Sequence, residues 1–194
     1  MIYNQSTHKY VTWVQYNADP KNGAGGDRSY LIFTADSPAG PFTKVASAKP
    51  STMVGDQTLF EDSDGTGYLA WTDQAAGGRM HVTRLSSDYL SVATGAQASD
   101  TWIGNTVYRE APQMFKRAST YYLTMSKACP YCTTSPTYVY TASSPSGPWT
   151  AKADISSNSC GGQPTNVLVM GSTYLYQSDL FDTDNAEVSI TNDN

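Results

Sequence analysis

Apolar and polar residues alternate over short stretches of this chain, which is the pattern of half-buried β-strands. Between residues 57 and 92 the alternation predicts four strands, at 57–61, 68–72, 80–84 and, as a short outer strand, 90–92. Asp64 and Gly65 suit a hairpin turn between the first two of these strands. No stretch has a convincing apolar period of about 3.6 residues, so we expect little helix. The pattern predicts an all-β protein.

A sequence repeat of roughly 50 residues runs through the chain. Four tyrosines that follow a turn and lead into a predicted strand are separated by 58, 54 and 52 residues; they are Tyr10, Tyr68, Tyr122 and Tyr174. A second motif, Ser-Pro-x-Gly-Pro, occurs at residues 37–41 and 144–148, an offset of 107 residues or two periods. A period of this length with several short strands predicts a β-propeller, because each four-stranded blade must bury its faces against its neighbours.

One polar residue precedes three of these tyrosines at nearly the same distance. Asp56 and Glu110 stand 12 residues, and Gln163 stands 11 residues, before the tyrosine of their repeat. Radial repetition brings equivalent positions together around the propeller axis, so we expect these side chains to face one pocket. Two carboxylates near an amide suit glycoside hydrolysis, in which a carboxylic acid protonates the departing oxygen and a second group handles water. Alternatively, the two acids cap strand ends or pair with Arg109 and Arg79.

Composition and charge exclude several other functions. Aromatic residues make up 12% of the chain and charged residues only 15%, a mixture typical of strands and turns. The net charge of −5 disfavours binding to nucleic acid and to anionic membrane surfaces. No apolar run reaches the roughly 18 residues of a membrane span. His8 and His81 stand alone in the sequence, so we expect neither a metal site nor another cofactor.

The motifs around the three polar residues resemble glycoside hydrolase family 43, and within it the exo-β-1,3-galactanase branch. The matching segments extend to about residue 181: residues 55–60 and 62–69, Arg-Glu-Ala-Pro at 109–112, the two Ser-Pro-x-Gly-Pro motifs, and Gly-Gly-Gln-Pro-Thr at 161–165. The resemblance implies a five-bladed propeller. It also implies an inverting, exo-acting hydrolase of the β-1,3-galactan of plant arabinogalactans, whose partner is a galactose-containing polysaccharide or oligosaccharide.

The resemblance further implies a role for each polar residue. Glu110 would be the general acid, and Asp56 would orient it and favour its protonated form. Gln163 occupies the place where galactanases of this branch have a glutamine near the attacking water. Because a neutral amide has no useful basicity, Gln163 would act through an imidic-acid tautomer, relay a proton or position the water. Alternatively, Gln163 only hydrogen-bonds a sugar hydroxyl.

Two further residues are candidates for binding the sugar. Trp102 lies in the segment that leads to Glu110, where its ring would stack on a galactose face. Arg109 directly precedes Glu110. The other three tryptophans, Trp13, Trp71 and Trp149, lie within strand patterns, and we expect them in the cores of the blades.

The chain is shorter than the ring that its repeat implies. Five blades of about 53 residues need about 270 residues, whereas the chain has 194. We therefore expect an incomplete five-bladed propeller of about three and a half blades at residues 1–181, with a divergent or frayed tail at 182–194. Such an open ring exposes sheet edges and apolar faces, which predicts self-association or completion by a partner chain.

Cysteines and one short motif favour an extracellular protein. Cys129 and Cys132 resemble a redox motif but are predicted in a loop with no following helix, so a structural disulfide is favoured, with Cys160 joined to one of the two. Asn4 begins an acceptor triplet for N-glycosylation. The first residues are neither basic nor apolar, so a secreted form would already lack its leader.

Three functions remain open at this point. The first is the galactan hydrolase, for which Glu110→Gln would abolish release of galactose. The second is a carbohydrate-binding, lectin-like propeller that holds sugar in the same pocket without cleaving it. The third is another specificity of the same family, an arabinofuranosidase or xylosidase, against which Gln163 argues because an acidic base would be expected there.

Overall fold

A computed structural model describes residues 1–18, 28–128 and 135–179. Over these residues the chain forms fourteen β-strands and two single-turn 3₁₀ helices, at Gly95–Gln97 and Ser159–Gly161. The prediction of an all-β protein with little helix is confirmed. In the part of the chain that is described, no helix is long and apolar enough to cross a membrane.

The strands pair into three four-stranded antiparallel sheets and one two-stranded sheet, blades I to IV in chain order. Blade I contains β1 (Ile2–Asn4), β2 (Lys9–Asn17), β3 (Arg28–Ala35) and β4 (Thr43–Ala48). Blade II contains β5 (Val54–Glu61), β6 (Gly67–Asp73), β7 (Arg79–Arg84) and β8 (Asp100–Trp102). Blade III contains β9 (Arg109–Arg117), β10 (Thr120–Lys127), β11 (Thr137–Ala142) and β12 (Thr150–Ala151), and blade IV contains β13 (Gln163–Met170) and β14 (Thr173–Asp179).

The sequence repeat corresponds to the blades. The four aligned tyrosines all lie on the second strand of a blade, and both Ser-Pro-x-Gly-Pro motifs connect a third strand to a fourth. In each motif the glycine has a positive φ, 85° at Gly40 and 78° at Gly147, and precedes a cis proline. The predicted architecture, an incomplete propeller of three and a half blades, is confirmed.

Blade II shows how the blades are held together. Successive residues of a strand point to opposite faces of the sheet, and the six residues of β6 from Gly67 to Thr72 are all buried. Leu69 and Trp71 pack into one core with Val11, Trp13 and Ile32 of blade I. Tyr68 and Ala70 pack into a second core with residues of blade III, including Met114, Leu123 and Met125. The two faces of one strand thus belong to two different cores.

The first strands of blades II, III and IV contact one another in succession. Between them lies a cavity of about 820 Å³, which forms the axial channel. Its lining includes Gln57, Leu59 and Glu61 from β5, Gln113 and Phe115 from β9, and Thr165, Val167 and Val169 from β13. All three inner strands therefore contribute residues to the axial channel.

The predicted outer strand of blade II, at residues 90–92, is wrong. Tyr89 has a φ of +63°, and its buried ring enters the core between blades I and II, where its carbonyl accepts a hydrogen bond of 2.9 Å from Trp13 Nε1. Hydrogen bonds of Ser86 and Asp88 to the backbone close this segment into a turn. The outer strand is β8, where Asp100 pairs with Thr83 of β7.

Asn4 gives no structural support to the glycosylation motif. Its side chain is 1% exposed, donates to the carbonyl of Ser87 at 2.8 Å and accepts hydrogen bonds from Ser6 and Thr7. The amide is used to fix the β1–β2 turn to blade II. Since the glycosylation motif was one of the reasons to expect an extracellular location, that location stays a prediction.

Three other predictions are not tested by the described residues. Cys160 is exposed, and its predicted partners Cys129 and Cys132 lie outside the described residues, so the disulfide stays a prediction. The tail at 182–194 also lies outside them. Self-association stays a prediction as well, although blade IV exposes large apolar side chains at Leu168, Met170 and Leu175.

Asp62 joins blade II to blade III at the end of β5. Its carboxylate accepts a hydrogen bond of 2.7 Å from Lys116 Nζ and another from the hydroxyl of Tyr121, both on blade III. Burial acts to raise the pKa of Asp62, but hydrogen bonds from Lys116, Tyr121 and the N–H of Ser63, together with the charge of Lys116, outweigh it and lower the pKa below its ordinary value. The folded state therefore favours the ionised form.

We predict that Asp62→Asn lowers the melting temperature at neutral pH by a few degrees, because it removes a charged hydrogen-bond acceptor. A group whose pKa is lowered by folding stabilises the fold above its unfolded pKa, near 3.9, and loses this contribution as the pH falls through the folded pKa. The wild-type and variant melting temperatures should therefore converge in acid. Thermal unfolding between pH 2 and 7 measures this; a constant difference across that range would contradict the assignment.

Candidate active site

The inner strands β5, β9 and β13 each have a β-bulge near their first residues. In β5 the extra residues are at 55–56, in β9 at 111–112, and in β13 at Thr165. A bulge bends its strand and changes the direction of the neighbouring side chains, and bulges are frequent beside active sites. Each of the three bulges lies near the start of the first strand of its blade. They lie beside Asp56, Glu110 and Gln163, the residues that the sequence repeat singles out.

These three residues meet. Gln163 Nε2 donates to Glu110 Oε2 at 3.3 Å and to Ser126 Oγ at 3.0 Å. Asp56 Oδ2 accepts a hydrogen bond of 3.1 Å from the backbone N–H of Ala111. Residues more than 50 positions apart in sequence therefore share one small site, as the radial repeat predicts.

The backbone next to Glu110 is held in a conformation that L-residues seldom adopt. Ala111 has a φ of +51°, which is unfavourable for a residue with a side chain. The carboxylate of Asp56 holds the N–H of this same residue. Asp56 therefore acts on Glu110 through the backbone, by fixing the peptide that follows it.

Three residues beside the site were not predicted from the sequence: Gln74, Tyr108 and Gly78. Burial, followed by the negative charge of Glu110, raises the pKa of the Tyr108 hydroxyl, against the opposing effect of a hydrogen bond with Gln74. Gly78 has a φ of +76°, and a Cβ there would lie only 2.3 Å from the Tyr108 ring. Only glycine allows the β6–β7 turn to approach this tyrosine so closely.

A cavity of about 360 Å³ opens at this end of the axis. Its lining includes residues from all four blades: Gln15, Asp56, Gln57, Ala111, Pro112, Gln113, Gln163, Thr165 and Asp179. Asp179 was missed in the sequence because it lies in no motif of the repeat. It is the cross-strand partner of Gln163, and such partners present their side chains on the same face of a sheet.

Arg109 is not among the residues that line this cavity, and its role in binding sugar stays a prediction. Its guanidinium lies 3.7 Å from the centre of the Tyr138 ring and donates to the carbonyl of Tyr108 at 3.1 Å. Neighbouring residues on β9 point to opposite faces of the sheet, so Glu110 contacts Gln163 whereas Arg109 is directed into blade III.

Trp102 does not line the cavity either. It lies on β8, the outermost strand of blade II, with its ring 4.8 Å from the guanidinium carbon of Arg79. Arg79 and Arg109, the alternative partners of Asp56 and Glu110, both stack on aromatic rings. Trp13 and Trp71 are core residues as predicted, and Trp149 is packed against the core of blades II and III.

The comparisons with known proteins agree with this geometry. The model of the glycosyl hydrolases family 43 matches residues 6–167. The exo-β-1,3-galactanase of Phanerochaete chrysosporium, solved with galactose, is 29% identical with a TM-score of 0.75; the match covers 92% of this chain and 40% of that chain. An exo-β-1,3-galactanase from Clostridium thermocellum shows the same fold at 24% identity and a TM-score of 0.75, with 90% and 40% covered. No curated protein matches the chain.

This chain therefore spans about 40% of the length of the galactanase structures that it resembles. The match therefore does not show that this chain has the activity of those longer proteins. The family is nevertheless decided by a match to most of the chain. The chain belongs to the glycosyl hydrolases family 43.

Proposed function

We propose that this chain carries a catalytic centre that releases galactose from the end of β-1,3-linked galactan, with inversion of the anomeric configuration. The observation that carries the proposal is the contact of Glu110 with Gln163, with Asp56 fixing the adjacent peptide. The galactanase from Phanerochaete chrysosporium supports the choice of sugar: it is solved with galactose and, in two variants of one glutamate, with β-1,3-galactotriose.

Glu110 is the proposed general acid. In its protonated form it donates a proton to the glycosidic oxygen as the bond from this oxygen to the anomeric carbon breaks. The amide of Gln163 donates to Glu110 Oε2 and helps to fix the orientation of this carboxyl group. Asp56 supports the reaction by holding the Ala111 N–H and thereby the orientation of Glu110.

Gln163 is the proposed water-positioning residue. An amide has two N–H hydrogens, and the contacts with Glu110 and Ser126 use both of them. The carbonyl oxygen of the amide is therefore the atom that accepts a hydrogen bond from water. This arrangement favours orientation of the water over the imidic-acid form, which would need a different pattern of hydrogens on the amide.

Asp179 is the proposed acceptor of the proton that the attacking water loses. It lines the same cavity and lies across the β13–β14 pair from Gln163. Inversion requires a group that removes this proton on the side of the sugar opposite the acid. A carboxylate can hold the proton, whereas the neutral amide of Gln163 has no useful basicity. The water oxygen bonds to the anomeric carbon, and the proton passes to Asp179.

A second candidate function is binding of the same sugar without cleavage. One observation favours it: Gln163 carries a neutral amide at a position where an acidic residue would be expected to act as the base. Measurable affinity for β-1,3-galactan with no product after long incubation would select this function.

We predict that Glu110→Gln lowers kcat for β-1,3-galacto-oligosaccharides by about 10² to 10⁴, because the leaving oxygen no longer receives a proton. The melting temperature should not change. A galactoside with a dinitrophenolate leaving group, which needs no protonation, should be cleaved nearly as fast as by the wild type. Proton NMR of the first product should show α-galactose.

The matched control is Glu61→Gln, which makes the same chemical change at the far end of β5. Its turnover should equal that of the wild type. Unchanged turnover of Glu110→Gln with oligosaccharides would rule out Glu110 as the acid, and β-galactose as the first product would rule out inversion.

We predict that Asp179→Asn lowers kcat by a factor of about 10² to 10⁴ with little change in KM. Azide should restore turnover and give α-galactosyl azide, because a small anion attacks without the need for a base. The control is Asp154→Asn, an exposed aspartate in the connection that follows β12. An Asp179→Asn enzyme as active as the wild type would eliminate Asp179 from the mechanism.

A further inference from the structure

An exposed tryptophan lies on the same side of the molecule as the proposed catalytic cavity but outside it. Trp102 is 44% exposed, whereas Trp13 and Trp71 are 2% and 3% exposed. A large aromatic surface in water is unfavourable. Trp102 therefore needs an explanation that the core of blade II does not supply.

The indole ring of Trp102 is fixed in position. Its Nε1 donates to Asn105 Oδ1 at 3.0 Å, and Arg79 stacks on the ring. Asn105 is buried, and its amide also donates to the carbonyls of Gly78 and Val107, both at 2.9 Å. Because the ring is already held, a ligand that stacks on it loses little side-chain entropy on binding.

A cavity of about 400 Å³ lies beside the ring. It is lined by Ala76, Gly77, Arg79, Trp102, Asn105 and Thr106. The guanidinium of Arg79 supplies several N–H donors, and the hydroxyl of Thr106 can both donate and accept. An aromatic face beside a few such polar groups suits a sugar, whose C–H face is apolar and whose edge carries hydroxyls.

This cavity lies at the same end of blade II as Asp56. The β6–β7 turn, which supplies Ala76 and Gly77, follows Asp73, and Asp73 pairs with Val54 at the start of β5. Three strand spacings, about 14 Å in total, separate β5 from β8 across the sheet. The segment at 103–108 bridges this distance and leads directly from Trp102 to Glu110. A short oligosaccharide can cover the same distance.

The position of Glu110 gives the direction in which the sugar chain leaves the catalytic cavity. The acid must face the glycosidic oxygen, so the part of the substrate beyond the cleaved bond lies on its side of the site. Tyr108 and Val107 precede Glu110, and Val107 is 54% exposed. The remaining chain therefore passes over these residues toward the indole ring of Trp102.

We propose that Trp102, with Arg79 and Thr106, forms a distal subsite that binds a galactose unit of a β-1,3-galactan several units beyond the cleaved bond. The inference rests on the proposed function for the identity of the sugar, but it concerns binding and does not depend on cleavage. Its measurable consequence is an affinity that increases with the length of the oligosaccharide.

The test is calorimetric titration with galactose and with β-1,3-galacto-oligosaccharides of two to five units. All proteins carry Glu110→Gln, so that the ligands survive the measurement. We expect affinity to rise with length, and Trp102→Ala to lower the affinity for the longest ligand by about tenfold. Affinity for galactose should stay within about twofold. Trp102→Tyr should retain most of the gain, since it keeps an aromatic face.

The control is Phe42→Ala, which removes an exposed aromatic residue that leads into β4 at the opposite end of blade I. It should bind all ligands like the parent protein. Tryptophan fluorescence provides a second measurement: the longest ligand should shift the emission, galactose should not, and Trp102→Ala should abolish the shift.

Equal affinities of Trp102→Ala and its parent for the longest ligand, or an affinity that does not rise with length, would overturn the subsite. Failure of the proposed hydrolase is distinguishable from this result. If Glu110→Gln leaves hydrolysis intact while Trp102→Ala removes the gain with length, the assignment of the acid falls and the subsite stands.

Discussion

The fold depends on one constraint: a β-strand places successive side chains on opposite faces, and in a propeller both faces must be covered. In β6, Leu69 and Trp71 enter one core while Tyr68 and Ala70 enter the other. Blade II is thereby fixed between blades I and III. The same alternation brings the first strands of successive blades together along the axis, where no single blade could build a site.

The site arises where this regularity is interrupted. The bulges in β5, β9 and β13 lie near the starts of these strands, close to the polar residues Asp56, Glu110 and Gln163. The positive φ of Ala111 is stabilised there by the carboxylate of Asp56. Blade packing therefore determines where the proposed catalytic residues lie. The bulges and the positive φ of Ala111 determine how their side chains are oriented. The hydrogen bonds of Asp62 join blades II and III near the other end of the axial channel.

The sequence predicted the site residues that recur in each repeat and missed those that lie outside the repeated motifs. The spacing of the tyrosines located the second strands, and counting back from them found Asp56, Glu110 and Gln163, because equivalent positions in a propeller are equivalent in space. Asp179 and Tyr108 belong to no repeated motif, so only the folded chain reveals them. Trp102 and Arg109 were chosen for their closeness in sequence to Glu110, but Trp102 lies on the outer strand β8 and Arg109 is directed into blade III. The outer strand at 90–92 failed because tertiary packing of Tyr89 overrides its local β propensity.

The central claim is that the heads of three inner strands hold one galactose unit between them. The most direct measurement is a crystal structure of the Glu110→Gln protein with β-1,3-galactotriose. We predict that the terminal galactose lies among Asp56, Gln163 and Asp179, with the first glycosidic oxygen within hydrogen-bond distance of the side chain at position 110. A trisaccharide bound elsewhere, or three strand heads too far apart to contact one sugar ring, would contradict the account.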